Sequence, residues 1–463
     1  MGAMHPKFQD DLAALPDLLT AARDAAERAL TSLDTRPVTV GRPGDAPAPM
    51  PVDGVGAAEA LRRFEEHWAP WFSGSAGPRY FGFVTGGATP ASVVGDWLTS
   101  AYDQNVVARD TAAVDLERET VGWLAELLGI GPDLHGAFVT GATMSNFVGL
   151  AVAREWLGEQ LGVSVNDDGV HALGPVPVFS AAPHSSVYKA LSMLGIGRRQ
   201  VRLVSTLPGR EAVDVEQLAA ALDGRPAIVV ANAGTVNSVD FDDLRAIAAL
   251  KERFNLWLHV DGAFGAFAAL SPRHSGLVDG IAEADSVCVD LHKWLNVPYD
   301  AAVQFTRRRD LQVRIFRNLG AYLPPPAGEP DFVHLTPESS RRLRALPAWF
   351  SLVAYGRAGH QEIVERTIAL AARLGEWLTG EPRLRLLAPV RLNIVCCTFA
   401  EDPTRERVQA LVDAIARSGE ALVTPTVYDG TPGFRVAFSN WRTTPSDVDR
   451  LGAALTKALD EVG

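Results

Sequence analysis

Between residues 137 and 305, short unbroken apolar runs alternate with helix-like segments, and no other feature constrains the fold of this chain as strongly. The runs fall at 137–140, 176–179, 227–230, 256–260, 286–289 and 302–305, with helical patterns such as 215–222 and 242–254 between them. A strand without a polar face has to be covered on both sides. A mostly parallel sheet flanked by helices meets that condition, so an α/β domain is expected.

The flanks read differently. Leu12, Leu15, Leu18, Leu19, Ala22 and Ala25 recur near helical spacing and predict one amphipathic helix over 10–33. Residues 36–56 are rich in Pro and Gly and read as extended, and a helix is expected at 57–67. An aromatic stretch follows, from Trp68 and Trp71 to Tyr80, Phe81 and Phe83, ending at Gly86-Gly87. Residues 321–328, with three consecutive prolines, read as a surface loop. Ile363, Thr367, Leu370, Leu374 and Trp377 then mark a long amphipathic helix. Strand-like 392–398, a helix over 404–418, strand-like 433–438 and a helix from 445 complete a small α+β unit.

Composition excludes several classes of partner. The chain has 463 residues and a net charge of −12, which disfavours nucleic acid or an anionic membrane as the main partner. No run of ~20 apolar residues is present to span a bilayer. Cys288, Cys396 and Cys397 are too few for a disulfide scaffold and fit a reducing compartment. The first residues lack a basic segment leading into an apolar core, so a cytoplasmic protein is expected.

Five elements that can carry chemistry follow successive strands. Lys293 stands between His292 and Trp294 just after an apolar run, and partial burial favours the neutral amine that Schiff-base chemistry needs. Asp261 ends the run 256–260, where a carboxylate can hold a pyridine nitrogen protonated; taken alone it fits a helix cap or turn equally well. Thr140-Gly141-Ala142-Thr143-Met144-Ser145-Asn146 opens a helix, where small residues and hydroxyls suit an anion; taken alone it is as readily an ordinary strand-to-helix turn. His184, in Pro183-His184-Ser185, can stack on a planar group, although a lone histidine is more often structural. Thr235, in Ala233-Gly234-Thr235, offers a hydroxyl. The conjunction is far more specific than any single element.

With these residues the chain resembles the pyridoxal-phosphate (PLP)-dependent group II amino-acid decarboxylases, from about residue 78 onward. That family includes the aromatic amino-acid, histidine, glutamate and 2,4-diaminobutyrate enzymes. The resemblance implies the aspartate-aminotransferase-like fold (fold type I), with an N-terminal helical segment (1–84), a large PLP domain (85–345) and a small α+β C-terminal domain (346–463). It implies Lys293 as the Schiff-base lysine, Asp261 at the pyridine nitrogen, Ala263 beside the ring and His184 on its face. Thr235 would lie at the cofactor hydroxyl, Ala142 and Thr143 at the phosphate, and His292 in support of Lys293. Tyr322 matches the family's loop tyrosine, which returns a proton to the substrate carbon. Phe83 and Thr85 fall where the family lines its substrate pocket, and the expected assembly is a homodimer with the site at its interface.

Two positions depart from the aromatic branch. Asp290 replaces an Asn near the phosphate, so no phosphate contact is assigned to it. The segment 81–87 is less aromatic than its counterpart, which argues against an aromatic substrate. The expected reaction is decarboxylation of an L-amino acid to an amine and CO2. Decarboxylation–deamination to an aldehyde is the alternative within PLP chemistry, and a catalytically inactive PLP-binding partner protein the alternative outside it.

Overall fold

The computed structural model describes residues 4–44, 49–107, 111–317 and 328–463. The apolar runs form a seven-stranded sheet: β1 (His135–Val139), β2 (Val178–Ser180), β3 (Val201–Leu203), β4 (Ala227–Asn232), β5 (Leu256–Asp261), β6 (Ser286–Asp290) and β7 (Ala302–Thr306). Their order is β1-β7-β6-β5-β4-β2-β3. All neighbours are parallel except those of β7, which runs against both β6 and β1. The link from β6 to β7 is too short for a helical crossover, so the chain turns back on itself, and Lys293 sits in that return. Every residue of β4, β5, β6 and β7 is buried, as continuous apolar strands require.

Six parallel strands therefore end on one edge of the sheet. Asn232 ends β4, Asp261 ends β5 and Asp290 ends β6. The helix Ala142–Leu161 starts just beyond β1, and His184 caps the helix Ser185–Met193 beyond β2. This edge is where ligands bind in open α/β sheets.

A second sheet has the order β10-β11-β9-β8, formed by β8 (Leu384–Leu386), β9 (Ile394–Phe399), β10 (Thr424–Tyr428) and β11 (Thr431–Ala437). It has its own apolar core, which includes Phe81 from the aromatic stretch. The segment beyond Phe81 ties this sheet to the lysine. The Gly86 N–H donates to the His292 carbonyl at 3.0 Å, and a Cβ at Gly86 would lie 1.9 Å from the Lys293 carbonyl oxygen. Only glycine fits that approach.

The predicted helix over 10–33 is two helices, Pro6–Ala13 and Leu15–Thr31. Ala14 (φ −91°, ψ 6°) breaks the run just before Pro16, which cannot continue an incoming helix. Neither these helices nor Ala57–His67 contain a buried residue. Phe8, Leu12 and Leu19 are more than 60% exposed, at 68%, 64% and 63%. The long helix Ala345–Thr379 is kinked at Gly356 (φ 58°), upstream of its predicted periodic stretch. Among the described residues no helix is long and apolar enough to cross a membrane.

Candidate active site

A cavity of about 460 Å³ opens at the strand ends. Its walls bring together Lys293, Asp261, His184, Ala263, Thr235 and His292, with Phe83 and Thr85 from the aromatic stretch. Ala142 and Thr143 form the first turn of the helix Ala142–Leu161, one step behind the wall; a Cβ at the preceding Gly141 would touch the His292 ring at 3.8 Å. Tyr322 lies outside the described residues.

The floor is a closed hydrogen-bond network. Asp261 Oδ1 accepts the Ala263 N–H at 3.2 Å, and Oδ2 accepts Asn146 Nδ2 at 3.0 Å. Asn146 also donates to Ser186 Oγ at 3.0 Å, and Ser186 meets His184 Nδ1 at 2.8 Å. His184 is held below the ordinary imidazole range, chiefly by desolvation; Asp261 pulls the other way, and Lys293 and Arg435 reinforce the lowering. Its imidazole is therefore neutral near pH 7, as suits stacking on a flat ring.

The Lys293 side is open by contrast. Lys293 Nζ lies 3.6 Å from Asp290 Oδ2 and 5.6 Å from the centre of the Phe264 ring. Asp290 Oδ1 and His292 Nδ1 approach to 2.9 Å without the alignment of a hydrogen bond. Thr85 Oγ1 is likewise buried and unpaired. His292 packs on Tyr299, ring centres 4.3 Å apart, and burial pushes the Tyr299 phenol up to about 12.

Two hydroxyls expected to face a cofactor are spent elsewhere. Thr235 Oγ1 donates to Glu211 at 2.5 Å, so Thr235 lines the cavity but has committed its proton. Ser145 donates to the Val303 carbonyl at 3.0 Å, because a buried hydroxyl on a helix facing a strand takes the nearest free acceptor. Sequence reasoning passed over Arg435, Tyr80 and Tyr299, which also line the cavity. Arg435 had a legible signal, a cation inside the apolar strand β11. It is 8% exposed and held by the Val236 carbonyl and Thr424.

PLP fits this donor set. One amine and one buried carboxylate face the same cavity, a neutral imidazole lines it, and a 20-residue helix whose start lies beside His292 suits a phosphate. Fold and site together define a PLP enzyme of fold type I. The family model for the pyridoxal-dependent decarboxylase conserved domain matches residues 59–400. An aromatic-L-amino-acid decarboxylase of Bacillus atrophaeus is 30% identical over 83% of this chain and 82% of its own length. A phenylacetaldehyde synthase of a Rosa hybrid cultivar is 25% identical over 84% of this chain and 82% of its own. The crystal structure of Oryza sativa TDC with PLP and tryptamine superposes with a TM-score of 0.90 at 23% identity, covering 99% of both chains, and so shares the fold. The chain belongs to the pyridoxal-dependent decarboxylase family and is a PLP-dependent carboxy-lyase.

Proposed function

We propose that the enzyme converts an aromatic L-amino acid to its amine and CO2, with PLP held as a Schiff base on Lys293. The observation that carries the substrate class is the cavity wall: Tyr80, Phe83, Phe264 and Tyr299 surround the space in front of Lys293. Rings of this kind suit a flat side chain. The less aromatic character of 81–87 argued the other way, but Tyr80, Phe264 and Tyr299 supply rings from outside that segment. The names of relatives such as the Bacillus atrophaeus enzyme support the same class.

Bound PLP supplies an electron sink for the pair released when the Cα–carboxylate bond breaks. The chain's own groups do the rest. Lys293 would hold the cofactor and give way to the substrate amine. The Asp261 carboxylate would keep a proton on the pyridine nitrogen. His184 would hold the ring, with Ala263 beside it. Ala142 and Thr143 would hold the phosphate, with His292 in support, and Thr235 would serve the hydroxyl. Arg435 draws in the substrate carboxylate, while Phe83 and Thr85 border the side chain. Tyr322 returns the proton to Cα.

The working unit in this reading is a cytoplasmic homodimer with its site at the interface. The exposed apolar faces of the three N-terminal helices support the dimer, and three buried free cysteines support the compartment. The division at 84/85 and 345/346 belongs to the same reading. Aldehyde formation is the second reading, motivated by the phenylacetaldehyde synthase relative. An inactive binding partner is disfavoured because Lys293, Asp261 and His184 are all in the cavity.

Release of CO2 and amine is to be measured with L-tryptophan, L-tyrosine, L-phenylalanine, L-glutamate and L-2,4-diaminobutyrate. Turnover of an aromatic substrate with stoichiometric amine is expected; turnover of the polar substrates alone would reject the aromatic reading. Tyr322→Phe should still release CO2 but, with oxygen as the oxidant, give aldehyde, ammonia and peroxide in air. An unchanged amine yield would remove Tyr322 from the reaction.

A further inference from the structure

Behind Asp261 lies a chain of buried polar groups in which each proton has a single consistent position. The Trp257 indole N–H can only donate, and does so to Ser286 Oγ at 2.9 Å. The Ser286 proton is then directed to His259 Nδ1 at 2.8 Å. His259 therefore carries its proton on Nε2, which donates to Asn146 Oδ1 at 2.9 Å. With the amide oxygen fixed, both Asn146 N–H bonds point forward, to Asp261 Oδ2 and Ser186 Oγ, each at 3.0 Å. Ser186, having accepted, turns its proton to His184 Nδ1, which also takes the Ser186 backbone N–H at 3.3 Å.

The reverse orientation fails. If His259 donated from Nδ1, Ser286 would have a proton without an acceptor. Asn146 would then have to present its amide oxygen to the Asp261 carboxylate, which has no proton to donate. Burial supports the neutral His259 that the chain requires, pushing it down to about 4. Trp257, His259, Ser286 and Asn146 are all 1% exposed or less, so water does not compete for these bonds. The fold reserves the space for this arrangement. His259 and Asp261 share one face of β5, and Asn146 and Gly149 are one turn apart on the helix opposite. A Cβ at Gly149 would lie 2.8 Å from His259 Cε1.

We propose that Asn146 is a positioning residue for both contacts of the cofactor site, orienting the Asp261 carboxylate through one N–H and, through the other, aiming the Ser186 hydroxyl at His184 Nδ1, which the Ser186 backbone N–H already holds as an acceptor. This rests on reading Asp261 and His184 as the PLP contacts. It assigns His184 a proton on Nε2, the nitrogen not held by Ser186.

The test is PLP titration of the apoprotein, with a double-mutant cycle and ¹⁵N-histidine NMR of the same apoprotein. Asn146→Ala should weaken PLP binding by about tenfold to a hundredfold, the range for a hydrogen bond to a charged group. In an Asp261→Asn background the same change should cost less than about threefold, since Asn146 acts through that carboxylate. The NMR should show His184 protonated on Nε2 both in the wild type and in Asn146→Ala, because the Ser186 backbone N–H still donates to Nδ1. Ser186→Ala, which cuts only the branch to His184 and keeps the backbone donor, should leave the tautomer unchanged with a smaller loss of PLP affinity than Asn146→Ala. Asn146→Ser, which keeps one donor, replaces the alanine variant if that variant does not fold. Equal losses of affinity in both backgrounds, or His184 protonated on Nδ1 in the wild type, would overturn the proposal. A wild-type protein that binds no PLP would instead overturn the reading of the site itself.

Discussion

The two sides of the cavity are finished differently. On the floor, both oxygens of Asp261 accept hydrogen bonds, and Asn146, Ser186 and His259 are each paired. On the Lys293 side, Asp290 Oδ1, His292 Nδ1 and Thr85 Oγ1 are buried without a hydrogen bond. A closed network is rigid before any ligand arrives, whereas an open one keeps capacity for a ligand's polar atoms. The floor is thus built to hold one charge in one place. The lysine side keeps capacity to change partners, as the role proposed for Lys293 requires.

Several measurements would break or sharpen this contrast. The largest effect is expected on the open side: Lys293→Ala should abolish turnover and the borohydride-reducible PLP adduct. An adduct surviving in that variant would place the anchoring amine elsewhere. Next comes the floor. Asp261→Asn should still bind PLP but lower kcat by at least about a hundredfold, because the amide cannot stabilise the ring charge. Near-normal kcat would show that the closed network serves packing alone.

Acid should attack the floor as well. His259 is pushed down to about 4 from an unfolded value of ~6.5, so the unfolded chain binds more protons in that window. The stability it contributes is therefore present above pH ~6.5 and is lost as pH falls through about 4, on the order of 3 kcal/mol at the limit. His360, far along the chain, is also pushed down to about 4 by burial and adds to the same slope. His135 and His184 are also lowered and Asp242 is raised to about 6, so urea unfolding between pH 7 and 4 is to be compared for His360→Gln and for the same variant carrying His259→Gln. Equal slopes in the two would mean that His259 is not held neutral.

The smallest effect is expected at Asp290. Asp290→Asn keeps the shape and removes no aligned hydrogen bond from Oδ1, so stability should change by less than ~1 kcal/mol. Thermal unfolding of the apoprotein checks this, and a loss several times larger would show that the lysine side is closed as well.

The central strands were legible because β4, β5 and β6 each carry a run of apolar residues with no polar face, which calls for cover on both sides. The strands missed from the sequence, β3, β8 and β10, are all sheet edges. They are short and partly exposed, so their residues lack the continuous apolar signal. Lys293 and Asp261 were legible because each follows such a strand, and the sheet carries strand ends to one edge. Tyr299 gave no such signal, since its role depends on stacking against His292.

The sequence alone therefore determined the α/β core, the edge on which chemistry gathers, and the amine and carboxylate that sit there. These follow from local pattern: apolar period, strand ends and small residues at turns. Tertiary structure decided which polar atoms meet. Asn146 reads in the sequence as one polar residue in an apolar helix, and only the packing of that helix on β5 sets its amide between His259 and Asp261. Arg435 reads as a stray charge in a strand until the small sheet brings it to the cavity. Hydrogen bonds act over about 3 Å, and no pattern along the chain specifies a distance that short between segments more than a hundred residues apart.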